Sequence, residues 1–216
     1  MPLSAGVPRM GDTQDHRVHH ESYAHARTGG QIPLGTFLFP LLLPRGGIVH
    51  RCPDETDEPD VFRRLTDMFS SGSVSYRMIP HEPEGSTEAA SRLRRHPLQQ
   101  AAKSIVVRVA TGKRSRRYVL AVVPGDRRVD LAALAERYGG REASFADRAV
   151  AERLAGSVSG SITPFAFSSE LDLLVDENLL VHEEIYFNAG RLDLSFALSV
   201  SDYLDLAEPT VAPIAV

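Results

Sequence analysis

Two short segments of this sequence carry residue types that can act on carbonyl or phosphate groups. Lys103 opens an apolar run directly after Ala101 and Ala102. At the end of a strand such a lysine places its ammonium at a sheet edge, where a cleft can open; the alternative is a surface lysine that protects that edge. The segment 156–165 is rich in Gly, Ser and Thr, so its N–H groups can approach a carbonyl oxygen or an oxyanion. A plain surface loop is the alternative here.

Two clusters of basic side chains are candidates for phosphate binding. The first comprises Arg92, Arg94 and Arg95, and the second comprises Lys113, Arg114, Arg116 and Arg117. Clusters of this kind are usually solvated faces. Two of them in a chain of net charge −4 nevertheless favour local contacts with nucleic acid, although the chain as a whole is not basic.

Metal and redox chemistry find little support in the sequence. Four histidines, His16, His19, His20 and His25, could place two imidazoles on one helical face, but no carboxylate pattern accompanies them. We therefore expect a solvated segment there and predict no metal and no cofactor. Cys52 is the single cysteine, which excludes an internal disulfide and fits a reducing compartment. The motifs of phosphate-loop enzymes and of nucleophile elbows are absent from the sequence.

Composition indicates a globular protein, with 43% hydrophobic and 24% charged residues among 216. The longest apolar run, 32–44, is broken by Pro33, Gly35 and Pro40 and is too short to span a bilayer. A polar stretch precedes it, unlike a signal peptide. The sequence therefore predicts a cytoplasmic protein that does not contact membranes.

Hydrophobic periodicity divides the chain into an irregular N-terminal extension over 1–58, a domain over 59–208 and a C-terminal tail over 209–216. The predicted elements are a helix that ends at Gly72, a strand over 76–79, a helix capped by Ser86 or Thr87, a hairpin of 103–109 and 118–123, helices over 130–138 and 146–154, strands near 171–175, 184–188 and 194–200, and a helix near Asp202. Hairpins mixed with helices in irregular order indicate the α+β class.

The order of several motifs resembles the YbaK family, the free-standing relatives of the editing domain inserted in bacterial prolyl-tRNA synthetases. The matching segments are 81–83, 100–103, 122–124, 129–131, 156–165, 174–176 and 185–192. Within the family, the YeaK-type deacylases are most similar through 187–190 and 201–204. The resemblance covers residues 60–208. It implies an α+β domain with a mixed, barrel-like sheet surrounded by helices, which hydrolyses aminoacyl-tRNA without metal or cofactor.

The resemblance also implies roles for individual residues. Catalysis would involve Lys103, Gly160, Ser161 and Thr163, with water attacking the ester with help from the substrate's own ribose hydroxyl. Substrate contacts would come from His81, Ile162, Pro164, Phe165, Asp176, Asn188 and Gly190. The two basic clusters would bind tRNA. YeaK-type members are associated with removing serine, and to some degree threonine, from the wrong tRNA. We therefore expect the acyl group of the substrate to be a small amino acid.

Three functions are compatible with these residues. The first is hydrolysis of mischarged aminoacyl-tRNA in trans, with an aminoacyl-tRNA synthetase as a partner. The second transfers the aminoacyl group to another acceptor in a biosynthetic pathway, with the apolar segment 37–43 covering the cleft against water. The third is a non-catalytic module that binds tRNA or a synthetase.

Overall fold

The computed structural model describes residues 60–216, which form five α-helices and eight β-strands. The helices are α1 (Asp60–Ser71), α2 (Thr87–Arg94), α3 (Leu131–Arg137), α4 (Arg148–Ala155) and α5 (Val200–Ala207). The strands are β1 (Tyr76–Pro80), β2 (Ala102–Ala110), β3 (Arg116–Pro124), β4 (Glu142–Phe145), β5 (Leu171–Val175), β6 (Glu184–Asn188), β7 (Leu194–Ser199) and β8 (Thr210–Val211). The predicted N-terminal extension, with its histidines, Cys52 and apolar run, lies outside the described residues.

The strands form two sheets. The smaller sheet has the order β1-β7-β6 and is antiparallel. The larger has the order β4-β2-β3-β5-β8, in which β3 pairs with β5, and β5 with β8, in parallel. The predicted α+β class and the β2–β3 hairpin are confirmed. The mixed, barrel-like sheet that the resemblance implies is present as two sheets that do not close into a barrel, because the larger sheet ends in the short strands β4 and β8.

The larger sheet is buried on both faces, so its central strand β3 reads as an uninterrupted apolar run. Side chains alternate between the faces of a strand. Leu120 and Val122 accordingly join a core with helices α1 and α4 and the smaller sheet. Val119, Ala121 and Val123 join a second core with helix α3 and the C-terminal segment.

Helix ends follow the capping residues in the sequence. The Asp130 carboxylate accepts a hydrogen bond from the Ala133 N–H at 3.0 Å and starts helix α3. The Ser86 hydroxyl accepts from the Ala89 N–H at the start of helix α2. Side-chain oxygens at such positions satisfy N–H groups that the helix itself leaves free. Helix α2 is thereby fixed beside the beginning of strand β2.

The C-terminal segment, predicted as a tail, packs onto the larger sheet. Strand β8 extends that sheet, and the side chains of Ala212 and Ile214 are buried. The carboxylate of Asp176, at the end of strand β5, accepts a hydrogen bond from the Ile214 N–H at 2.8 Å. Within residues 60–216, no helix has the length and apolar character needed to cross a membrane.

Candidate functional site: a cleft at the start of strand β2

A small cleft with a cavity volume of about 60 Å³ opens where strand β2 begins. Four parts of the chain form its walls: helix α2 with the residue before it, the start of strand β2, the loop after helix α4, and strand β6. The lining residues are Gly85, Thr87, Ala90, Arg94, Ala101, Ala102, Lys103, Ser104, Gly160, Ile162, Tyr186, Phe187 and Asn188.

The side chain of Lys103 is half-buried and bonded to carbonyl groups. Its ammonium donates hydrogen bonds to the Gly125 carbonyl, at 3.2 Å, and to the Arg127 carbonyl, both in the turn after strand β3. Burial lowers the pKa of Lys103, and the charge of Asp126 partly opposes this effect. The turn therefore orients a lysine ammonium whose hydrogen-bond partners are neutral.

Gly160 lines the same cleft as Lys103. Its φ of +92° is rarely adopted by residues with a side chain. A Cβ at this position would lie 2.7 Å from the Cα of Gly85, so a glycine is needed for the two loops to approach each other. The N–H groups of Gly160 and Ile162 have no hydrogen-bond partner among the described residues. They are available to a carbonyl oxygen of a ligand.

The two hydroxyl residues of this loop lie behind the cleft wall. Ser161 and Thr163 are buried, at 0% and 2% exposure, and are not among the lining residues. The Ser161 hydroxyl donates to the Val158 carbonyl at 2.9 Å, which closes the turn locally. Gly160 and Ile162 of this loop thus line the cleft, whereas the side chains of Ser161 and Thr163 are buried in the protein interior.

A buried polar network holds the cleft walls together around Asn188. Its amide Nδ2 donates to the carbonyls of Glu84, at 3.0 Å, and Gly160, at 2.8 Å. Its Oδ1 accepts from the Ser195 hydroxyl at 2.9 Å and from Arg94 Nη1 at 3.4 Å. One side chain of strand β6 therefore fixes both glycine-containing loops.

His81 reaches this network from the side. Its Nε2 lies 2.7 Å from the Ser195 hydroxyl, and its Nδ1 lies 2.8 Å from the Glu82 carbonyl. His81 is not among the residues that line the cleft. It supports Asn188 through Ser195.

Four other residues that were predicted to contact substrate are buried and contact other parts of the protein. Phe165 belongs to the aromatic core, and the Pro164 carbonyl accepts from the buried Tyr203 hydroxyl at 2.9 Å. Asp176 is fully buried and accepts hydrogen bonds from Asn178 and from the Ile214 N–H. Gly190, with φ +77°, packs against Val61 in the turn between β6 and β7. None of the four lines the cleft.

The first basic cluster is divided by the structure. Arg92 is exposed and forms an ion pair with Glu88 at 2.7 Å. Arg95 is exposed at the helix end. Arg94 is buried and lines the cleft. Burial lowers its pKa to about 10, so it remains protonated at neutral pH.

The second basic cluster lies at the tip of the β2–β3 hairpin, at the opposite end of strand β2 from Lys103. Lys113, Arg114, Arg116 and Arg117 are all exposed there. Arg117 is paired with the Asp172 carboxylate at 2.9 Å through two nitrogens. Seven residues of strand β2 separate the tip from Lys103, a distance of roughly 23 Å. The tip is therefore not part of the cleft.

Tyr186 is a cleft residue that motif reasoning missed. Its ring stacks on His96 with centroids 3.9 Å apart, and its hydroxyl donates to Glu184 at 3.0 Å. Burial lowers the pKa of His96 to about 4, and the nearby Arg94 charge adds to this effect. Alternation along strand β6 was the available signal, because Tyr186 and Asn188 share a face.

Among residues 60–216, no three His, Cys, Asp or Glu side chains form a group suited to a metal ion.

Comparisons with known proteins agree on one family. The model of the aminoacyl-tRNA editing domain matches residues 81–206. The multifunctional Ser/Thr-tRNA deacylase ProXp-y of Escherichia coli strain K12 is 40% identical over 148 residues, which cover 68% of this chain and 88% of that protein. A proline–tRNA ligase of Stenotrophomonas maltophilia strain R551-3 is 30% identical over 146 residues, which cover 67% of this chain and 25% of the ligase.

Solved structures support the same fold. The hypothetical protein APE2540 superposes with a TM-score of 0.64 at 20% identity, covering 71% of this chain and 99% of that one. A proposed trans-editing enzyme for prolyl-tRNA synthetase gives 0.60 at 21% identity, covering 73% and 98%. At these identities the likeness concerns the fold alone.

Proposed function

This chain belongs to the aminoacyl-tRNA editing domain family, as the resemblance in its sequence predicted, and we propose that it deacylates mischarged tRNA in trans. The substrate is an aminoacyl-tRNA that carries a small amino acid such as serine, threonine or alanine. The relative that is 40% identical is named a Ser/Thr-tRNA deacylase. A protein acting on this substrate works where tRNA is charged, so we place it in the cytoplasm, with an aminoacyl-tRNA synthetase as a possible partner.

The convergence of Lys103 and the Gly160 loop on one cleft is the observation that carries this proposal. A cation and free N–H groups in one cleft suit an ester attached to a phosphate-bearing nucleotide. Lys103 binds the negative charge of the terminal nucleotide, and the N–H groups of Gly160 and Ile162 bind the ester carbonyl. Fixed donors of this kind stabilise the developing oxyanion more than the ground state.

In the proposed reaction a water oxygen bonds to the ester carbonyl carbon, and the carbonyl electron pair moves onto oxygen. The tetrahedral intermediate then re-forms the carbonyl and breaks the bond to the ribose oxygen, which takes a proton that the water has lost. The amino acid and a tRNA with a free 3′ end are the products. The described residues that line the cleft include no carboxylate, histidine or cysteine. As the family resemblance implies, the ribose hydroxyl next to the ester assists the proton transfer.

A deacylation assay tests the proposal. The protein is incubated with Ser-, Thr- and Ala-charged tRNA, and release of the amino acid is followed. We expect release from at least one of them, and a rate for Lys103→Ala at least about 10²-fold below wild type, as for loss of one electrostatic group at a reacting centre. Arg63→Ala, which removes an exposed cation on helix α1, is the matched control and keeps the wild-type rate.

The other outcomes point to the other functions. Release that requires an added amine or alcohol acceptor indicates acyl transfer, and tRNA binding without any release indicates a binding module. Full activity of Lys103→Ala removes Lys103 from the mechanism. For the domain boundaries, we propose that residues 59–208 carry the activity. Truncation of residues 1–58 measures what the N-terminal extension adds to it.

A further inference from the structure

Arg94 differs from every other arginine of its cluster in its surroundings. Its exposure is 8%, and it lines the cleft, while Arg92 and Arg95 on either side are exposed. The helix explains the difference, since Arg94 lies one turn after the buried Ala90 and on the same face. Arg94 is therefore withdrawn from the surface that phosphates of the tRNA body could reach.

No carboxylate among residues 60–216 pairs with the Arg94 guanidinium. Its Nη1 donates to the Ser195 hydroxyl at 3.1 Å and to Asn188 Oδ1 at 3.4 Å, both neutral acceptors. Its Nε is buried and has no hydrogen-bond partner among the described residues. A buried charge without a counterion costs several kcal/mol of stability in general. A group of this kind suits a site where an anionic oxygen enters.

The position of Arg94 relative to the Gly160 loop indicates which anion that is. Asn188 accepts from Arg94 with Oδ1 and donates to the Gly160 carbonyl with Nδ2, so a single amide separates the guanidinium from the loop. The free N–H groups of Gly160 and Ile162 belong to that loop. The half-buried Lys103 is more accessible and suits the larger phosphate.

We propose that Arg94 is a catalytic residue whose guanidinium stabilises the oxyanion of the tetrahedral intermediate, together with the loop N–H groups. This rests on the proposed deacylase function. As water adds to the ester carbon, the carbonyl oxygen becomes negatively charged. This oxygen then serves as the counterion that Arg94 does not have in the free protein. The interaction is stronger in the transition state than with the neutral ester, and it therefore accelerates the chemical step.

The experiment separates catalysis from tRNA binding and from folding. Arg94→Met and Arg94→Lys are compared with wild type and with Arg63→Met, an exposed control on helix α1. Three quantities are measured: the single-turnover rate of Ser-tRNA deacylation, the dissociation constant of uncharged tRNA, and the melting temperature. Added guanidinium ion is tested for rescue of Arg94→Met and of Lys103→Ala.

For Arg94→Met we expect a rate about 10²–10³-fold below wild type and a dissociation constant within about twofold of wild type. Its melting temperature should stay close to wild type, because the substitution removes an unbalanced buried charge together with its two hydrogen bonds. Guanidinium ion should raise the rate of Arg94→Met and not that of Lys103→Ala. Arg94→Lys keeps the charge without the planar donor geometry, so its rate should lie between those of wild type and Arg94→Met.

Each alternative role gives a different result. A loss of rate matched by an equal loss of tRNA affinity makes Arg94 a phosphate ligand and overturns the proposal. A low melting temperature for both variants without rescue by guanidinium makes it a structural residue, and an unchanged rate removes it from catalysis. A wild-type protein that is inactive on Ser-, Thr- and Ala-tRNA refutes the deacylase function itself, which is a separate failure.

Discussion

The close approach of Gly160 to Gly85 can be tested with one methyl group. In Gly160→Ala the new Cβ would lie 2.7 Å from the Gly85 Cα and 3.0 Å from its carbonyl oxygen. Both are backbone atoms and cannot rotate away. The loop must therefore move, and it is tied to strand β6 by the 2.8 Å hydrogen bond from Asn188 to the Gly160 carbonyl. We expect Gly160→Ala to disturb the cleft as well as the fold.

The magnitude follows from two effects. A non-glycine residue held at φ +92° costs about 1–3 kcal/mol, and an extra carbon forced into a packed position costs about 1–3 kcal/mol. Gly139 supplies the matched control, since its φ is +58° and a Cβ there would meet nothing within 4 Å. Gly139→Ala then shows the backbone cost alone, about 1–2 kcal/mol. The difference between the two variants, about 1–4 kcal/mol, contains the contact and the additional backbone strain at Gly160.

The free energy of unfolding is measured by urea titration, and the single-turnover deacylation rate is measured on the fraction that remains folded. We expect Gly160→Ala to lose stability and activity together, and Gly139→Ala to keep its activity. Gly85→Ala is a third point, because its Cβ would lie at an ordinary 3.5 Å from the Gly160 Cα and should fit. The reasoning fails if Gly160→Ala matches Gly139→Ala in both measurements.

Three further predictions concern other parts of the domain. Asp176→Ala removes hydrogen bonds to Asn178 and Ile214 at a fully buried position. The free energy of unfolding should therefore fall by about 2–4 kcal/mol, while the deacylation rate per folded molecule stays the same. A loss of rate without a loss of stability would instead indicate that Asp176 contacts the substrate. Burial holds the pKa of His96 at about 4, below its usual 6.5, so the folded state binds fewer protons than the unfolded chain. The free energy of unfolding should therefore fall as pH decreases from about 6.5 to about 4, and it should fall less in His96→Phe. Equal pH profiles of the two proteins would contradict this. For the hairpin tip, we expect the double variant Lys113→Ala/Arg114→Ala to raise KM a few-fold and leave kcat unchanged. The affinity for tRNA should also depend less on salt concentration. A salt dependence identical to that of wild type would show that the tip does not contact tRNA.

Local signals in the sequence predicted most of the elements, because the residues that determine them are near in the chain. Ser86 caps helix α2 as expected, the helix predicted over 130–138 is present as α3, and the two β-branched runs pair as a hairpin. Strand β4 was missed, since Glu142–Phe145 is short and contains no β-branched residue. The parallel pairing of β3 with β5 joins residues about fifty positions apart, and nothing local specifies it.

The site was predicted in part for a similar reason. Strand ends and small-residue loops have recognisable composition, and Lys103 and Gly160, predicted on that ground, both line the cleft. Composition does not reveal that the Ser161 hydroxyl bonds to the carbonyl three residues earlier and turns inward. Arg94 was assigned to a surface cluster, although its spacing of four from Ala90 in a helix signals the buried face.

The distribution of ion pairs gives independent support to a ligand-binding cleft. Six arginines on the outside of the domain are paired with carboxylates: Arg77, Arg92, Arg117, Arg148, Arg153 and Arg191. Exposed pairs of this kind contribute little to stability. The two cations of the cleft, Arg94 and Lys103, are more buried and would gain more from a counterion, yet the described residues give them carbonyl, hydroxyl and amide partners instead. Folding alone does not account for the buried Arg94, which has no carboxylate partner among the described residues, whereas an incoming anionic substrate would supply the missing counterion.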